Sequence, residues 1–152
     1  ELPCFSAALQ GHPYPADAVA IGTEVAALQI PIAPVLEVLP HSPGLSAALH
    51  QALLDHTAAL RAKIGIVCAG SVPRRLAALM LYLIERFGRV INATDAEVNL
   101  GLTREQMAQL VSARVETVIR ILGRWQKAGW LQTSSGHLRI LRRDMLERVL
   151  AH

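Results

Sequence analysis

Two short amphipathic helical runs with only three residues between them constrain this chain more than anything else in it. Thr103 stands at N-cap spacing from Gln106, the pattern in which each side chain answers the other's backbone N–H, and apolar Met107, Leu110 and Val111 follow. Ser112-Ala113-Arg114 then interrupts the pattern before a second helix, Val115 to about Ala128, whose inward stripe is Val118, Ile121, Leu122 and Trp125. A pair of short helices with so tight a turn predicts a helix-turn-helix. After Gly129, Trp130 to Thr133 and His137 to Leu141 flank Ser134-Ser135-Gly136, which reads as a β-hairpin and supplies a wing. A last helix, Arg143 to Leu150, packs through Met145, Leu146 and Val149.

The face opposite the inward stripe carries the chemistry. At 100° per residue, Glu116, Arg120 and Lys127 fall on it, with Ile119 on one flank and Arg124 on the other. Arginine offers two parallel donors that match guanine O6 and N7, glutamate accepts from a cytosine amino group, and an exposed aliphatic chain suits a thymine methyl. An i, i+4 ion pair between Glu116 and Arg120 on a solvated helix is the competing reading.

Charge is divided along the chain in the same sense. Residues 1–70 hold two Lys/Arg against five Asp/Glu, whereas residues 71–152 hold thirteen against seven. The C-terminal half therefore suits a polyanion. Seven of the eight prolines fall before residue 44, so the two regions are built differently. Two cysteines, Cys4 and Cys68, cannot make a disulfide framework or a four-cysteine zinc site. No window approaches the ~18 uninterrupted apolar residues of a membrane span, and nothing near Glu1 resembles a signal peptide, so a reducing cytoplasm is expected. The six scattered histidines and the cysteines bring no base and nucleophile together, and no enzyme is expected.

Upstream, residues 12–40 alternate apolar stretches with Pro and Gly and read as two strands with their turns, Ala18 to Ile21 and Val25 to Ile30. Two strands cannot bury both faces alone, so they are expected to be the tail of a larger β-domain. From Leu45 to about Ala69 the pattern is helical, ~37 Å long, with Leu49, Leu53, His56, Leu60, Ile64 and Val67 along one seam. Such a seam predicts packing against a second copy, with packing on the β-domain as the alternative; His56 is read first as a polar break or satisfied histidine and second as a haem or metal ligand. Ser71-Val72-Pro73 starts the next helix and Gly88 is placed to end it, with Leu76, Leu79, Met80, Leu83, Ile84 and Phe87 as its buried face. Residues 89–101 are a connection with a short strand at Glu97 to Leu100.

The stretch LTREQMAQLVSARVETVIRILGRWQKAGWLQ and the hairpin after it resemble the Crp/Fnr transcription regulators. GHPYPADAVAI followed by LQIP is similar to the end of that family's β-roll sensor domain. The resemblance implies an α+β chain: residues 1–44 the end of a β-roll effector-sensing domain, 45–70 a dimerisation helix, and 71–152 a winged helix-turn-helix. It implies a dimeric one-component regulator that senses a small molecule or a redox or gas signal and reads an inverted-repeat operator in double-stranded DNA. RNA polymerase is an implied partner. Glu116 and Arg120 stand at base-reading positions, with Val115 and Ile119 variable beside them and a half-site resembling TTG. Thr103, Arg104, Arg114, Arg124, Lys127 and Arg139 are the phosphate candidates. Arg114 replaces the usual Ser or Thr cap of the recognition helix, and Ser112 replaces the usual turn glycine. PYPADAV lacks the arginine that cyclic-nucleotide-binding members use, and Leu28 stands where iron–sulfur members carry a cysteine. Neither cyclic AMP nor a cysteine-ligated iron–sulfur cluster is expected, and the effector is unnamed. The alternative is a ligand-binding or protein-interaction module using the winged helix as a scaffold, which an apolar or acidic outward face would favour.

Overall fold

The structure is a computed structural model that describes residues 5–15, 17, 20, 25–92, 94–134 and 137–151. It divides into two compact units, Glu1–Arg61 and Ala62–His152, whose boundary falls within one long helix.

In the first unit, α1 is Phe5–Leu9 and α2 is Ile32–Val38, followed by a 3-10 turn at Leu39–His41. One of the two expected strands is corrected here. Val25 to Ile30 forms no strand, and the segment after it is helical. Most of Ala18 to Ile21 lies outside the described residues. A strand is held by ladder bonds to a neighbour, and among the described residues no segment pairs with 25–30. The prolines fit a helix instead: Pro31 is the N-cap of α2 and Pro34 lies in its first turn, where no amide hydrogen bond is forfeited. Helix α3, Pro43–Cys68, begins two residues before the expected Leu45 and runs unbroken for 26 residues. Along its seam Leu49, Leu53, His56 and Val67 are half-buried, whereas Leu60 is 49% and Ile64 62% exposed.

The second unit holds the core. Helix α4, Val72–Phe87, buries Leu76, Leu79, Met80, Leu83 and Ile84 as its spacing predicts, but Phe87 stands 47% exposed because the chain leaves the helix there. Gly88 ends α4 for a reason other than a left-handed cap. Its backbone is extended (φ −80°, ψ 143°), and a Cβ would run into the backbone of Ile84, 2.8 Å from its Cα. Strand β1, Gly88–Val90, starts at once and turns back through Asn92, whose Oδ1 accepts from the N–H groups of Thr94 and Asp95. Strand β2 is Ala96–Val98, a residue or two earlier than expected.

Strands β3, Leu131–Ser134, and β4, His137–Ile140, form the predicted hairpin and complete an antiparallel sheet in the order β1-β2-β4-β3. Ile140 sits opposite both Ala96 and Leu131, and all three are buried. Alternation along β4 puts Leu138 and Ile140 inward and His137 and Arg139 outward. Helix α7, Arg143–Ala151, packs on α4 and buries Leu146, with Met145 and Val149 half-buried. Arg74 closes its end by donating from Nη2 to the Leu150 carbonyl at 2.9 Å, a cation where the helix dipole is negative. Among the described residues, no helix is long and apolar enough to cross a membrane, and no three His, Cys, Asp or Glu side chains form a metal-binding group.

Candidate nucleic-acid interface

Helix α5, Arg104–Leu110, opens on the capping box the spacing requires. The Gln106 N–H donates to Thr103 Oγ1 at 3.2 Å, and the Thr103 N–H donates to Gln106 Oε1 at 2.8 Å. Its end is a Schellman motif: the Ser112 N–H reaches the Gln109 carbonyl at 3.2 Å and the Ala113 N–H the Ala108 carbonyl at 2.9 Å. Ser112 carries the left-handed conformation of that motif, with φ +49°.

Arg75 holds this turn from behind. Its Nη1 donates to the Val111 carbonyl at 3.0 Å and the Ser112 carbonyl at 3.1 Å, while Nε donates to the Gly70 carbonyl at 2.9 Å. One guanidinium thus joins the segment before α4 to the turn of the helix pair. Its partners lie 36 and 37 residues away, beyond the range of any local pattern, and sequence reasoning missed it.

Helix α6, Val115–Lys127, follows after Arg114, which occupies the N-cap with an extended backbone and makes no side-chain cap bond. Val118, Ile121, Leu122 and Trp125 are all buried. Glu116, Ile119, Arg120, Arg124 and Lys127 are exposed on the other side, and Val115 is half-buried at the start of the helix. Ile119 is 51% exposed, a large apolar side chain left half in solvent. Among the described residues, no ion pair or hydrogen bond joins Glu116 to Arg120, so the i, i+4 pairing is not formed. The helix ends in a second Schellman motif on Gly129 (φ +72°), and Trp125 stacks on Trp130 with ring centroids 5.8 Å apart.

The remaining phosphate candidates are not equally free. Arg114 is exposed. Arg139 lies on the outer face of the sheet, 48% exposed and 3.5 Å from the Asp95 carboxylate. Arg104 is half-buried: its Nη2 donates to Thr133 Oγ1 at 2.7 Å and its Nη1 approaches Met107 Sδ at 3.7 Å. Burial lowers the Arg104 pKa, with Glu105 acting in the opposite direction. Gln126 Nε2 donates to the same Thr133 oxygen at 2.8 Å.

The family model described as a Crp-like helix-turn-helix domain matches residues 74–149, half of the chain. The chain belongs to the Crp/Fnr family of transcription regulators. Within that family it is 26% identical over 152 residues to the fumarate and nitrate reduction regulatory protein of Escherichia coli strain K12, a match covering all of this chain and 60% of that protein. The fumarate nitrate reduction regulatory protein of Klebsiella oxytoca is likewise 26% identical, over 98% of this chain and 58% of its own length. The chain thus spans about 60% of the length of the curated relatives it matches. Among solved structures of the Crp/Fnr fold, a CooA mutant from Carboxydothermus hydrogenoformans superposes with a TM-score of 0.68 at 20% identity, covering 79% of this chain and 55% of that one. FixK2 from Bradyrhizobium japonicum gives 0.66 at 14% identity, covering 79% and 59%. At these identities the two structures establish the α+β winged-helix fold alone.

Proposed function

We propose that this chain is a sequence-specific, DNA-binding transcription regulator of the Crp/Fnr type that acts as a homodimer in the cytoplasm, with no catalytic activity of its own. One observation carries the reading: α6 buries Val118, Ile121, Leu122 and Trp125 on one face and leaves Glu116 and Arg120 exposed on the other with no hydrogen bond or ion pair among the described residues, beside a half-exposed Ile119. A surface helix whose charged side chains neither pair nor pack has its donors and acceptors available for base edges in a major groove. Arg120 takes a guanine, Glu116 a cytosine amino group and Ile119 a thymine methyl, with Val115 beside them. The exposed cations Arg114, Arg124 and Lys127, with Arg104, Thr103 and Arg139, supply phosphate contacts. A basic outward face argues against the scaffold-only alternative, which needs an apolar or acidic one.

Dimerisation through α3 is supported by the exposure of Leu60 and Ile64 in the expected seam. Two α6 helices related by a dyad meet major grooves about one turn apart, ~34 Å, so the operator is an inverted repeat. The signal is a small molecule or a redox or gas input. Neither cyclic AMP nor a cysteine-ligated iron–sulfur cluster is its carrier, for the side chains missing at PYPADAV and at Leu28. RNA polymerase is the partner for output.

Binding to an operator selected from random duplexes, and to its scrambled counterpart, tests the reading. Arg120→Ala costs ~1 to 3 kcal/mol on the operator and little on scrambled DNA. Equal losses on both would remove Arg120 from base reading.

A further inference from the structure

Thr133 is the third residue of β3, and its side chain neither fills the core nor stands free in water. A hydroxyl has two acceptor lone pairs. Both have a donor here: Arg104 from the first turn of α5 at 2.7 Å, and Gln126 from the last turn of α6 at 2.8 Å. A single oxygen therefore fastens the first helix of the pair, the recognition helix and the wing strand to one another. The partners are 29 and 7 residues away in sequence, so the junction exists only in the folded domain.

The consequence falls on Arg104. A free arginine samples many rotamers and loses them when it meets a phosphate. Arg104 has lost them already, because Nη2 is held by Thr133 and Nη1 lies against Met107 Sδ. Guanidinium carries five N–H donors, and the two contacts leave the others unspent.

We propose that Thr133 is a positioning residue for DNA binding, which holds Arg104 beside the wing in the orientation from which it meets a backbone phosphate. This rests on the DNA-binding reading above. Thr133 touches no base. It acts through Arg104, and the gain is affinity common to all duplexes rather than discrimination among them.

The experiment measures dissociation constants of the purified chain for the selected operator and for scrambled duplex at two salt concentrations, in a cycle of Thr133→Val, Arg104→Ala and the double variant. Valine keeps the branched shape and strand preference of threonine while removing the acceptor. Thr133→Val weakens binding to both duplexes by about three- to tenfold, the cost of immobilising one long side chain. It leaves the salt dependence unchanged, because Arg104 keeps its charge. Arg104→Ala lowers the salt slope by about one. In the Arg104→Ala background, Thr133→Val adds no further loss. Thr133→Ser, which restores the oxygen, returns affinity to within about twofold of the parent, and Gln126→Ala, which leaves the arginine held, retains most of it. These two variants keep the test decisive should Thr133→Val fold poorly: loss of affinity in Thr133→Ser equal to that in Arg104→Ala overturns the proposal. So do additive losses in the cycle, or an unchanged Thr133→Val, when the parent binds DNA. If the parent itself fails to bind any duplex, the DNA-binding reading is what fails, and the assignment of Thr133 goes with it.

Discussion

Ser112 and Gly129 hold the same position in two copies of one helix-ending motif, and only one of them is the residue that position favours. Both carry a left-handed backbone, φ +49° and +72°, and both send their N–H back to a carbonyl of the helix just ended. Glycine adopts that region freely, whereas an L side chain there brings Cβ against the following carbonyl oxygen, a cost of about 1 kcal/mol.

Ser112→Gly is accordingly stabilising. Relief of the left-handed strain exceeds the extra backbone entropy that glycine gives the unfolded chain, and the net gain is about 0.5 kcal/mol. Gly129→Ser has the opposite sign and costs about 1 kcal/mol. Urea denaturation of the two variants checks both signs together.

Arg75→Ala destabilises the winged-helix unit by about 2 kcal/mol, since three carbonyl acceptors lose a charged donor and two of the three bonds are solvent-exposed. Arg75→Lys recovers only part of this, because an ammonium cannot span acceptors that a planar fork reaches at once. Equal midpoints for the lysine variant and the parent would show that the charge alone matters.

Gly88→Ala is the most damaging small change expected in the domain. The added methyl meets the backbone of Ile84, which cannot move without breaking the last turn of α4, and the cost is about 2 to 4 kcal/mol. A thermal midpoint lowered by several degrees is the readout.

Leu53→Asp combined with Leu60→Asp converts the proposed dimer to a monomer, for the two carboxylates would face their copies across the proposed α3 seam. Sedimentation velocity reads the outcome; a dimer that survives both changes is built on another surface.

Acid stability has a named contributor. Arg142 donates two bonds of 2.8 Å to Asp144, and they hold its carboxyl below the usual range while raising the pKa of the guanidinium. A carboxylate with a depressed folded pKa contributes stability that is fully present above the ordinary Asp value, about 3.9, and is lost as pH falls through the folded value. Asp144→Asn removes that small dependence below about pH 4, which a series of denaturation midpoints from neutral to acid pH detects.

The winged-helix unit was legible wherever the determining interaction is local. The capping box joins residues three apart, and the stripe Val118, Ile121, Leu122, Trp125 repeats with the helix. Hairpin and final helix fell within a residue or so of their expected bounds. What escaped was non-local. Arg75 finds its carbonyls 36 and 37 residues away, and Thr133 finds Arg104 at 29. Phe87 fits the apolar period of α4, yet the helix stops beneath it and leaves it half in water. In the first unit the short apolar run Val25 to Ile30, set between Gly22 and Pro31, reads as a strand, but such a run does not by itself separate strand from other structure, and the pairing that makes a strand comes from elsewhere.

Between Phe87 and Gly88 the chain passes from helix to strand without a single connecting residue. A loop would supply dihedrals to absorb a rotation of the sheet against α4; here there are none to spare. The ladder that starts at Gly88 passes through β2 and β4 to β3, so the bearing of the outermost strand is referred back, rung by rung, to the axis of α4. The wing strands are therefore tied to α4 by paired backbone as well as by the chain, with no loop between Phe87 and Gly88 in which a rotation of the sheet could be absorbed.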